Sequence, residues 1–353
     1  MLHLVAWLSI IALSCVLVGM LYQTAGARRD RERFPPPGRL VDVGGHRLHL
    51  LESGQGDLTI VLEAGLMSTI LSWSDLQPKL AQSYRVVSYD RAGLGWSDLG
   101  PMPRTSSLIV EELHTLLHRA AIPPPYLLVG HSFGGLTIPL FASRFPDETV
   151  GMVLVDPVAP AEWNPPSDHD RNLTRIGATV CRRAALLSRV GLLRFVSFLL
   201  STRLKNAAAY LVRLISRGAP VDAGSVSSPW FLALPANERQ MAAVFWVQEK
   251  FALTIASQLE NLPASAARVA EPDRVFDKPV VVLSARTANE RRRKEHAAMA
   301  ARLPLGVHIL AEKSNHWIMQ DQPDLIIRAI EKVVEHSRSP RDVPTVSALS
   351  SSP

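Results

Sequence analysis

Ser132 is the residue of this 353-residue chain whose setting is most typical of a nucleophile. It lies in the segment GHSFGG (Gly130 to Gly135), after the apolar run Tyr126 to Val129 and before a helical pattern from Leu136 to Phe145. Glycines on both sides allow a sharp, strained turn that lifts the hydroxyl above the end of a strand. The order of strand, turn and helix is the setting that this pattern requires, so we predict Ser132 as the nucleophile.

A hydroxyl is a poor nucleophile until a neighbouring base takes its proton. His316 fits this role, because it follows the last apolar run, Val307 to Ala311, across a short turn and precedes a helix that opens at Pro323. Other histidines lack that placement, such as His114 within a helical pattern and His308 within a strand pattern. We therefore predict His316 as the general base.

A histidine base also needs a carboxylate that fixes its tautomer and stabilises its charged form. Two positions are available: Asp156, at the end of the run Val150 to Val155, and Glu290, after the run Pro279 to Ser284. Glu290 stands at a predicted helix start, where a carboxylate also interacts favourably with the helix dipole. We favour Asp156 and keep Glu290 as the alternative.

The negative charge that develops on the substrate carbonyl oxygen must be stabilised by two backbone N–H groups. One belongs to the residue after the nucleophile, which is Phe133, and the other to the loop after the third strand, which is Leu66. This chemistry requires no metal ion and no organic cofactor, and none is predicted.

Short β-rich runs alternate with helical patterns, which is typical of an α/β fold with a mostly parallel sheet and helices on both faces. The first two runs, Arg39 to Val43 and His46 to Glu52, flank Gly44-Gly45 and predict a hairpin. Six further runs are nearly continuous in apolar residues, as expected for parallel strands buried on both faces. These are Thr59 to Glu63, Tyr84 to Tyr89, Tyr126 to Val129, Val150 to Val155, Pro279 to Ser284 and Val307 to Ala311.

The strand pattern stops after the sixth strand, and helical apolar segments replace it. We therefore divide the fold into a core of residues 39–157 and 278–336 and an inserted helical cap of residues 158–277. The apolar cap helices are explained either by ordinary packing on the core, or by an apolar wall for a lipophilic substrate or a dip into the bilayer surface. The Ser- and Pro-rich tail, 337–353, is predicted to be disordered.

The run from Leu4 to Tyr22 contains no charged residue and is long enough to span a bilayer. We predict a membrane anchor over residues 1–25, followed by a basic, Pro-rich linker over 26–38. Ala25-Gly26-Ala27 also fits a signal-peptide cleavage site, but no basic region precedes the apolar run. The arginines between residues 28 and 33 predict a single-pass protein whose catalytic domain is cytoplasmic.

Composition limits the other classes of function. Hydrophobic residues make up 47% and charged residues 20% of the chain, which fits a globular enzyme rather than a disordered protein. The net charge is +6, but the arginines are scattered and no aromatic stacking motif accompanies them, so nucleic-acid binding is not predicted. Cys15 and Cys181 do not form a disulfide framework.

With these elements in place, the chain from Arg39 to Val334 resembles the α/β-hydrolase superfamily. Three segments carry the resemblance: GHSFGG, DRAGLGWSD (Asp90 to Asp98) and NHW (Asn315 to Trp317). The second is a family signature that fixes a loop. The resemblance implies a triad in the chain order Ser132, Asp156, His316 and hydrolysis through an acyl-enzyme. We expect an ester with an apolar acyl or alcohol part as the substrate.

The sequence departs from many relatives at two points. Ala64-Gly65 stands where they have a His-Gly pair, and the usual aspartate after the seventh strand is missing. An acid after the sixth strand is similar to the arrangement in some haloalkane dehalogenases. Dehalogenation and epoxide hydrolysis are disfavoured, because those enzymes use an aspartate where this chain has Ser132.

Two other functions remain open. An aminopeptidase similar to proline iminopeptidase shares the serine turn, and it would need an acidic cap residue to bind the substrate amine. Glu249, Glu260 and Glu271 are the candidates for that residue. The third possibility is a noncatalytic protein of the same fold that binds a ligand or partner.

Overall fold

A single sheet forms the centre of the molecule. The computed structural model describes residues 1–201, 229–271 and 276–338, and within them the sheet has eight strands. They are β1 (Arg39–Asp42), β2 (Arg47–Ser53), β3 (Thr59–Glu63), β4 (Arg85–Asp90), β5 (Tyr126–His131), β6 (Thr149–Val155), β7 (Val280–Ala285) and β8 (Gly306–Ala311). Their order in space is β1-β2-β4-β3-β5-β6-β7-β8.

The strand directions confirm the predicted topology. Strands β1 and β2 form an antiparallel hairpin, and β2 pairs antiparallel with β4. All other neighbours are parallel, from β4 and β3 through to β7 and β8. The carboxyl ends of the parallel strands therefore lie along one edge of the sheet, where an active site of this class of fold is expected.

Helices surround the sheet and fill the long connection between β6 and β7. They are α1 (Leu2–Arg33), α2 (Leu76–Leu80), α3 (Ser106–Arg119), α4 (Ile138–Arg144), α5 (Pro160–Trp163), α6 (Asp168–Arg189), α7 (Leu192–Ser201), α8 (Pro229–Ala233), α9 (Ala236–Trp246), α10 (Glu249–Glu260), α11 (Leu262–Ala270), α12 (Glu290–Ala301), α13 (Ile318–Asp321) and α14 (Pro323–Arg338). Short 3₁₀ helices span Ile70–Trp73, Ser132–Leu136 and Pro146–Glu148.

Both faces of the sheet are buried. Val61 and Leu128 point into a cluster with Phe141 of α4, whereas their chain neighbours Ile60 and Leu127 point into a second cluster on the opposite face. Successive side chains of a strand alternate between faces, so strands covered on both sides must be apolar throughout. This is why the parallel strands appear in the sequence as continuous apolar runs.

Within the described residues the insertion after β6 contains helices and no strand, as predicted for the cap. It comprises α5 to α11, and its two longest described helices, α6 and α10, pack against each other. Residues 202–228 of the predicted cap lie outside the described part of the chain. So does the predicted tail from residue 339 onward, while Ser337 and Arg338 still belong to α14.

Helix α1 extends further than the sequence predicted. It continues past the predicted anchor boundary at residue 25, through the segment ARRDRER to Arg33, so the first part of the predicted linker is helical. Alanine, arginine and glutamate are good helix formers, and Arg31 and Arg33 interact favourably with the carboxyl end of the helix dipole. The helix ends at the Pro35-Pro36-Pro37 run, which cannot continue it.

The amino-terminal part of α1 is suited to a membrane. The helix is long and apolar enough to cross one, with a mean hydropathy of 2.5 over its most apolar window, and that window is not buried against the rest of the protein. A signal sequence has the same properties. An apolar surface of this size is compatible with a lipid environment and costly in water.

Candidate active site

Ser132 stands at the carboxyl end of β5, in a sharp turn. Its φ angle is +52°, in the left-handed region that residues other than glycine rarely adopt. A Cβ on Gly130 would lie 2.7 Å from Ile138 Cγ1, and a Cβ on Gly134 would lie 3.3 Å from Glu63 Cγ. The glycines thus allow the chain to fold closely around the serine, whose side chain remains half-buried.

Asp156 follows β6, the strand next to β5, and its carboxylate is held from two sides. Oδ2 accepts a hydrogen bond from Nδ1 of His316 at 2.6 Å, and Oδ1 accepts one from the backbone amide of Ala285 at 2.9 Å. The residue is 2% exposed and has a φ angle of +41°. Strained backbone at two adjacent strand ends is typical of a functional site.

The environment of Asp156 favours its charged form. Burial acts to raise the pKa of the carboxyl group, but the hydrogen bond and the charge of His316, the Ala285 amide and the nearby His296 lower it. The net effect is a pKa below the usual value. A carboxylate that stays ionised can orient the imidazole and stabilise its protonated form.

Glu290, the alternative acid, does not reach His316. Its side chain is 75% exposed and forms a salt bridge with Lys294, one turn further along α12. Asn289 caps this helix by accepting a hydrogen bond from the Arg292 amide. Glu290 is therefore a first-turn residue of α12, and of the two carboxylates only Asp156 contacts the imidazole.

The loop that carries His316 is fixed from both ends. Asp321 accepts a hydrogen bond from the Asn315 amide at 2.8 Å, and Asn315 Oδ1 accepts one from the Trp317 amide at 2.8 Å. His131, the neighbour of Ser132, donates from Nε2 to the His316 carbonyl at 3.0 Å. These bonds place the His316 ring beside the serine turn.

The His316 ring is partly open to solvent, with 35% of the side chain exposed. Its centroid lies 4.6 Å from the ring centroid of His131. No hydrogen bond joins Ser132 to His316 within the described residues. Catalytic hydrogen bonds are often long without substrate and shorten when the substrate binds.

His131 holds the loop of His316 next to the serine turn, and its ring stays neutral. It is fully buried, and its burial together with the neighbouring His316 lowers its pKa to about 3. A neutral ring with its proton on Nε2 is the form that donates to the His316 carbonyl. The residue is a positioning group that the sequence did not single out, although it lies within the GHSFGG segment.

Leu66 and Phe133 carry the two amides predicted to bind the oxyanion. A Cβ on Gly65 would lie 3.2 Å from Ser132 Cβ and 2.9 Å from His131 Nδ1, so the loop after β3 passes directly against the serine turn. Neither amide donates a hydrogen bond to an acceptor in the described part of the chain. Both N–H groups are thus free to bind a substrate oxygen next to Ser132.

Arg91 holds the loop that carries Leu66, a role that the sequence did not reveal. Its buried guanidinium pairs with Glu63 Oε1 at 2.5 Å and donates to the Gly65 carbonyl. That carbonyl shares a peptide unit with the Leu66 N–H, and the two groups of a trans peptide point in opposite directions. Arg91 also lies 5.1 Å from the Phe133 ring centroid. One side chain therefore contacts both segments that carry the predicted oxyanion amides.

Asp90 organises the rest of the DRAGLGWSD segment. Its buried carboxylate accepts hydrogen bonds from the amides of Ile70 and Trp96, at 2.9 and 3.2 Å, and from Nδ1 of His49 at 2.9 Å. None of these contacts involves Ser132 or His316. The segment has the loop-fixing role that the resemblance implied.

His296 of α12 supports the acid and was also missed. It donates from Nε2 to the Pro157 carbonyl at 2.7 Å, and its Nδ1 lies 2.7 Å from the hydroxyl of Ser284. Nδ1 is also 4.0 Å from Asp156 Oδ1. Burial lowers the pKa of His296, which favours the neutral ring. The sequence contained no signal for this role, because His296 lies in a helix of mostly charged and small residues.

One group of side chains in the described residues could hold a metal ion: His114, His118 and Glu148. His114 and His118 lie one turn apart on α3, and His114 Nε2 is 3.0 Å from Glu148 Oε1. Glu148 precedes β6, whereas Ser132 and Asp156 follow the carboxyl ends of β5 and β6. The cluster therefore lies at the opposite edge of the sheet and does not contribute to the triad.

Comparison with known proteins identifies the family of this chain. A model described as an alpha/beta hydrolase family matches residues 60–329. The uncharacterized protein YqjL of Bacillus subtilis (strain 168) is 38% identical over 104 residues, which cover 30% of this chain and 41% of that protein. The chain thus spans less than half the length of that curated relative.

Solved structures agree on the fold. A thermophilic esterase from Thermogutta terrifontis has a TM-score of 0.59 at 18% identity, covering 85% of this chain and 99% of that one. An epoxide hydrolase from Bacillus megaterium has a TM-score of 0.59 at 15% identity, covering 84% and 100%. Proteins of different chemistry match equally well, so these structures establish the fold alone. The family model, however, covers well over half of the chain, and the protein therefore belongs to the alpha/beta hydrolase family.

Proposed function

We propose that the protein is a serine hydrolase that cleaves an apolar carboxylic ester through an acyl-Ser132 intermediate. The observation that carries this proposal is the 2.6 Å hydrogen bond between His316 and the buried Asp156, beside the strained turn of Ser132. The core, residues 39–157 and 278–336, would perform the chemistry. The cap, residues 158–277, would select the substrate.

The reaction follows from the positions of these groups. Ser132 Oγ attacks the ester carbonyl carbon while His316 Nε2 takes the hydroxyl proton, and the carbonyl oxygen becomes an oxyanion. The amides of Leu66 and Phe133 stabilise that oxyanion, each contributing about 3 kcal/mol. The imidazolium then protonates the departing alcohol, which leaves the acyl group on Ser132. Water, deprotonated by His316, repeats the attack and releases the acid.

Acyl transfer is favoured over the other reactions of related folds. A serine forms an acyl-enzyme with an ester, whereas the related epoxide hydrolases and dehalogenases attack with an aspartate. The aminopeptidase alternative is weakened, because Glu249 and Glu260 already pair with Arg189 and Arg182, each at 2.6 Å. Glu271 is exposed at the end of α11. A noncatalytic binding protein would not require the hydrogen bond between His316 and Asp156.

We infer that α1 remains attached as a single-pass membrane anchor. Cleavage after Ala27 would remove Gln23, whose side chain bonds to the Val247 carbonyl and to Arg194 of the cap. Residues Ala25 to Ala27 also lie within the helix. The arginines between residues 28 and 33 favour a cytoplasmic catalytic domain. A lipophilic ester is the substrate class that suits an enzyme held at a bilayer.

Labelling with a fluorophosphonate probe tests the catalytic proposal. We expect the purified full-length protein to be labelled and Ser132→Ala to remain unlabelled, with Ser83→Ala, an exposed serine in a turn, as the matched control. A panel of p-nitrophenyl esters of increasing acyl length, compared with proline naphthylamide, separates ester hydrolysis from aminopeptidase activity. Equal labelling of Ser132→Ala and wild type would refute the assignment of the nucleophile.

A further inference from the structure

We propose that the turn between α6 and α7, which we call the cap corner (Val190 and Gly191), enters the surface of the bilayer beside α1 and holds the cap on the membrane. This inference rests on the proposed anchoring by α1. It adds a second membrane contact, made by the cap, which would keep the site close to a substrate dissolved in the bilayer.

The cap corner and α1 meet through glycines. A Cβ on Gly19 of α1 would lie 2.2 Å from the Val190 carbonyl oxygen, and a Cβ on Gly191 would lie 2.6 Å from the Gly19 carbonyl oxygen. Gly191 also has a φ angle of +72°, which favours glycine. The two backbones therefore touch directly, as helices do at small-residue contacts in membranes.

The contact continues along one face of α1. Gly19, Gln23, Gly26 and Asp30 recur every three or four residues and are all partly buried, whereas residues 3–18 are exposed on every side. Asp30 forms a salt bridge of 2.6 Å with Arg194 of α7, and both side chains are less than one-sixth exposed. This spacing places the docked residues on a single helix face.

The length of α1 determines how deep the corner lies. The exposed residues 3–18 span about 24 Å at a rise of 1.5 Å per residue. The hydrocarbon core of a bilayer is about 30 Å thick, so roughly four more residues must lie within it. Those residues are Gly19 to Tyr22, the last of the uncharged run and the part of α1 that begins to contact the cap corner.

The surface around the cap corner is apolar, as a position at the edge of the hydrocarbon core requires. Leu186, one turn before it, is 63% exposed, and Phe195, one turn after it, is 44% exposed. The two nearest cations, Arg189 and Arg194, are paired with Glu249 and Asp30, each at 2.6 Å. An apolar tip with neutralised charges inserts at the boundary between headgroups and acyl chains.

Helix α6 connects this corner to the catalytic site. Cys181 of α6 packs against the same apolar cluster as Leu66, which carries an oxyanion amide, and Phe251 of α10 forms the centre of that cluster. Val190 follows Cys181 by nine residues, or about 14 Å along the helix. Helix α6 therefore links the cap corner to the cluster that contains Leu66, so a corner seated in the bilayer would hold the site close to a lipophilic ester dissolved there.

Site-specific fluorescence tests the location of the corner. In a Cys15→Ser, Cys181→Ala background, single cysteines replace Leu186, Phe195 or Gln82, an exposed residue before β4 at the far edge of the sheet. Each full-length variant carries an NBD label and is reconstituted in vesicles of phosphatidylcholine and phosphatidylglycerol. We expect the labels at 186 and 195 to emit at shorter wavelength and to be quenched several-fold less by iodide than the label at 82.

The outcomes separate this inference from the proposed function. If the protein floats with the vesicles but all three labels are quenched equally, the anchor stands and the corner proposal is overturned. In a second arm, Leu186→Asp should lower kcat/KM for a long-chain ester dissolved in the vesicles on the order of tenfold. Hydrolysis of a short soluble ester and probe labelling should stay unchanged, and Gln82→Asp should affect neither. Equal rates for Leu186→Asp and wild type on the long-chain ester would contradict the proposal.

Discussion

Replacing Asp156 by asparagine keeps the shape of the side chain but removes its charge and one of its two acceptors. In the wild-type protein, Oδ1 accepts from the Ala285 amide and Oδ2 accepts from His316 Nδ1. An asparagine has only one oxygen for these two donors. If that oxygen faced His316, the Ala285 N–H would be buried against an NH₂ group, at a cost of about 1–3 kcal/mol.

The asparagine therefore turns its oxygen to Ala285 and its NH₂ group to His316. Nδ1 must then accept a hydrogen bond, which moves the ring proton to Nε2, the nitrogen that has to take the proton of Ser132. The base is in the wrong tautomer, and the charge that stabilises the imidazolium is also lost. We expect kcat to fall about 10⁴-fold, equivalent to roughly 5 kcal/mol of transition-state stabilisation.

The measurement is the steady-state rate on a p-nitrophenyl ester, with circular dichroism to establish that Asp156→Asn is folded. Glu290→Gln is the matched control, because it makes the same chemical change in the exposed first turn of α12. We expect the control to retain the wild-type rate. A normal rate for Asp156→Asn would refute the assigned acid, and a large loss in Glu290→Gln would point to the alternative.

Three further predictions concern Ser132 and two residues that support it. Arg91→Met should release the Leu66 loop and lower kcat about 10²-fold with little change in KM, and an unchanged kcat would contradict the positioning role. His131 has a pKa of about 3 in the folded protein, so below pH 6.5 protons bind preferentially to the unfolded chain. The free energy of unfolding therefore decreases as the pH is lowered. His131→Gln should flatten the plot of unfolding free energy against pH between 4 and 6 by about 1 kcal/mol per pH unit, and an equal slope would exclude this effect. Ser132→Gly, compared with Ser132→Ala in thermal unfolding, should raise Tm by about 2 °C by relieving the positive φ angle, whereas equal Tm values would argue against strain there.

The sequence predicts those features of the site that depend on where a residue stands along a single strand or helix. Ser132 and Asp156 each follow an apolar run, so their place at the carboxyl edge of the sheet could be inferred from strand order. The flanking glycines also indicate the strained turn of Ser132, but nothing in the sequence predicts the positive φ angle of Asp156, which is not a glycine. The extent of α1 was underestimated, because the prediction followed the change from apolar to charged residues. Helix propensity does not change at that boundary.

Contacts between distant segments were beyond sequence reasoning. His296 bonds to Pro157, 139 residues away, and Arg91 reaches back across the sheet to Glu63 and Gly65. No local periodicity encodes such pairs, which depend on how the elements pack together. The docking of α1 on the cap corner belongs to the same class, because it joins two helices that are separated by most of the core.

The position of the cap within the chain affects how this enzyme could diversify. Ser132 and Asp156 precede the insertion and His316 follows it, while β6 and β7 remain paired side by side. The entropic cost of closing a loop grows only slowly with its length. A different helical module could therefore be grafted between these strands while the reactive groups keep their spacing. Chimaeras made in this way would take their substrate preference from the donor and their reactive groups from the recipient.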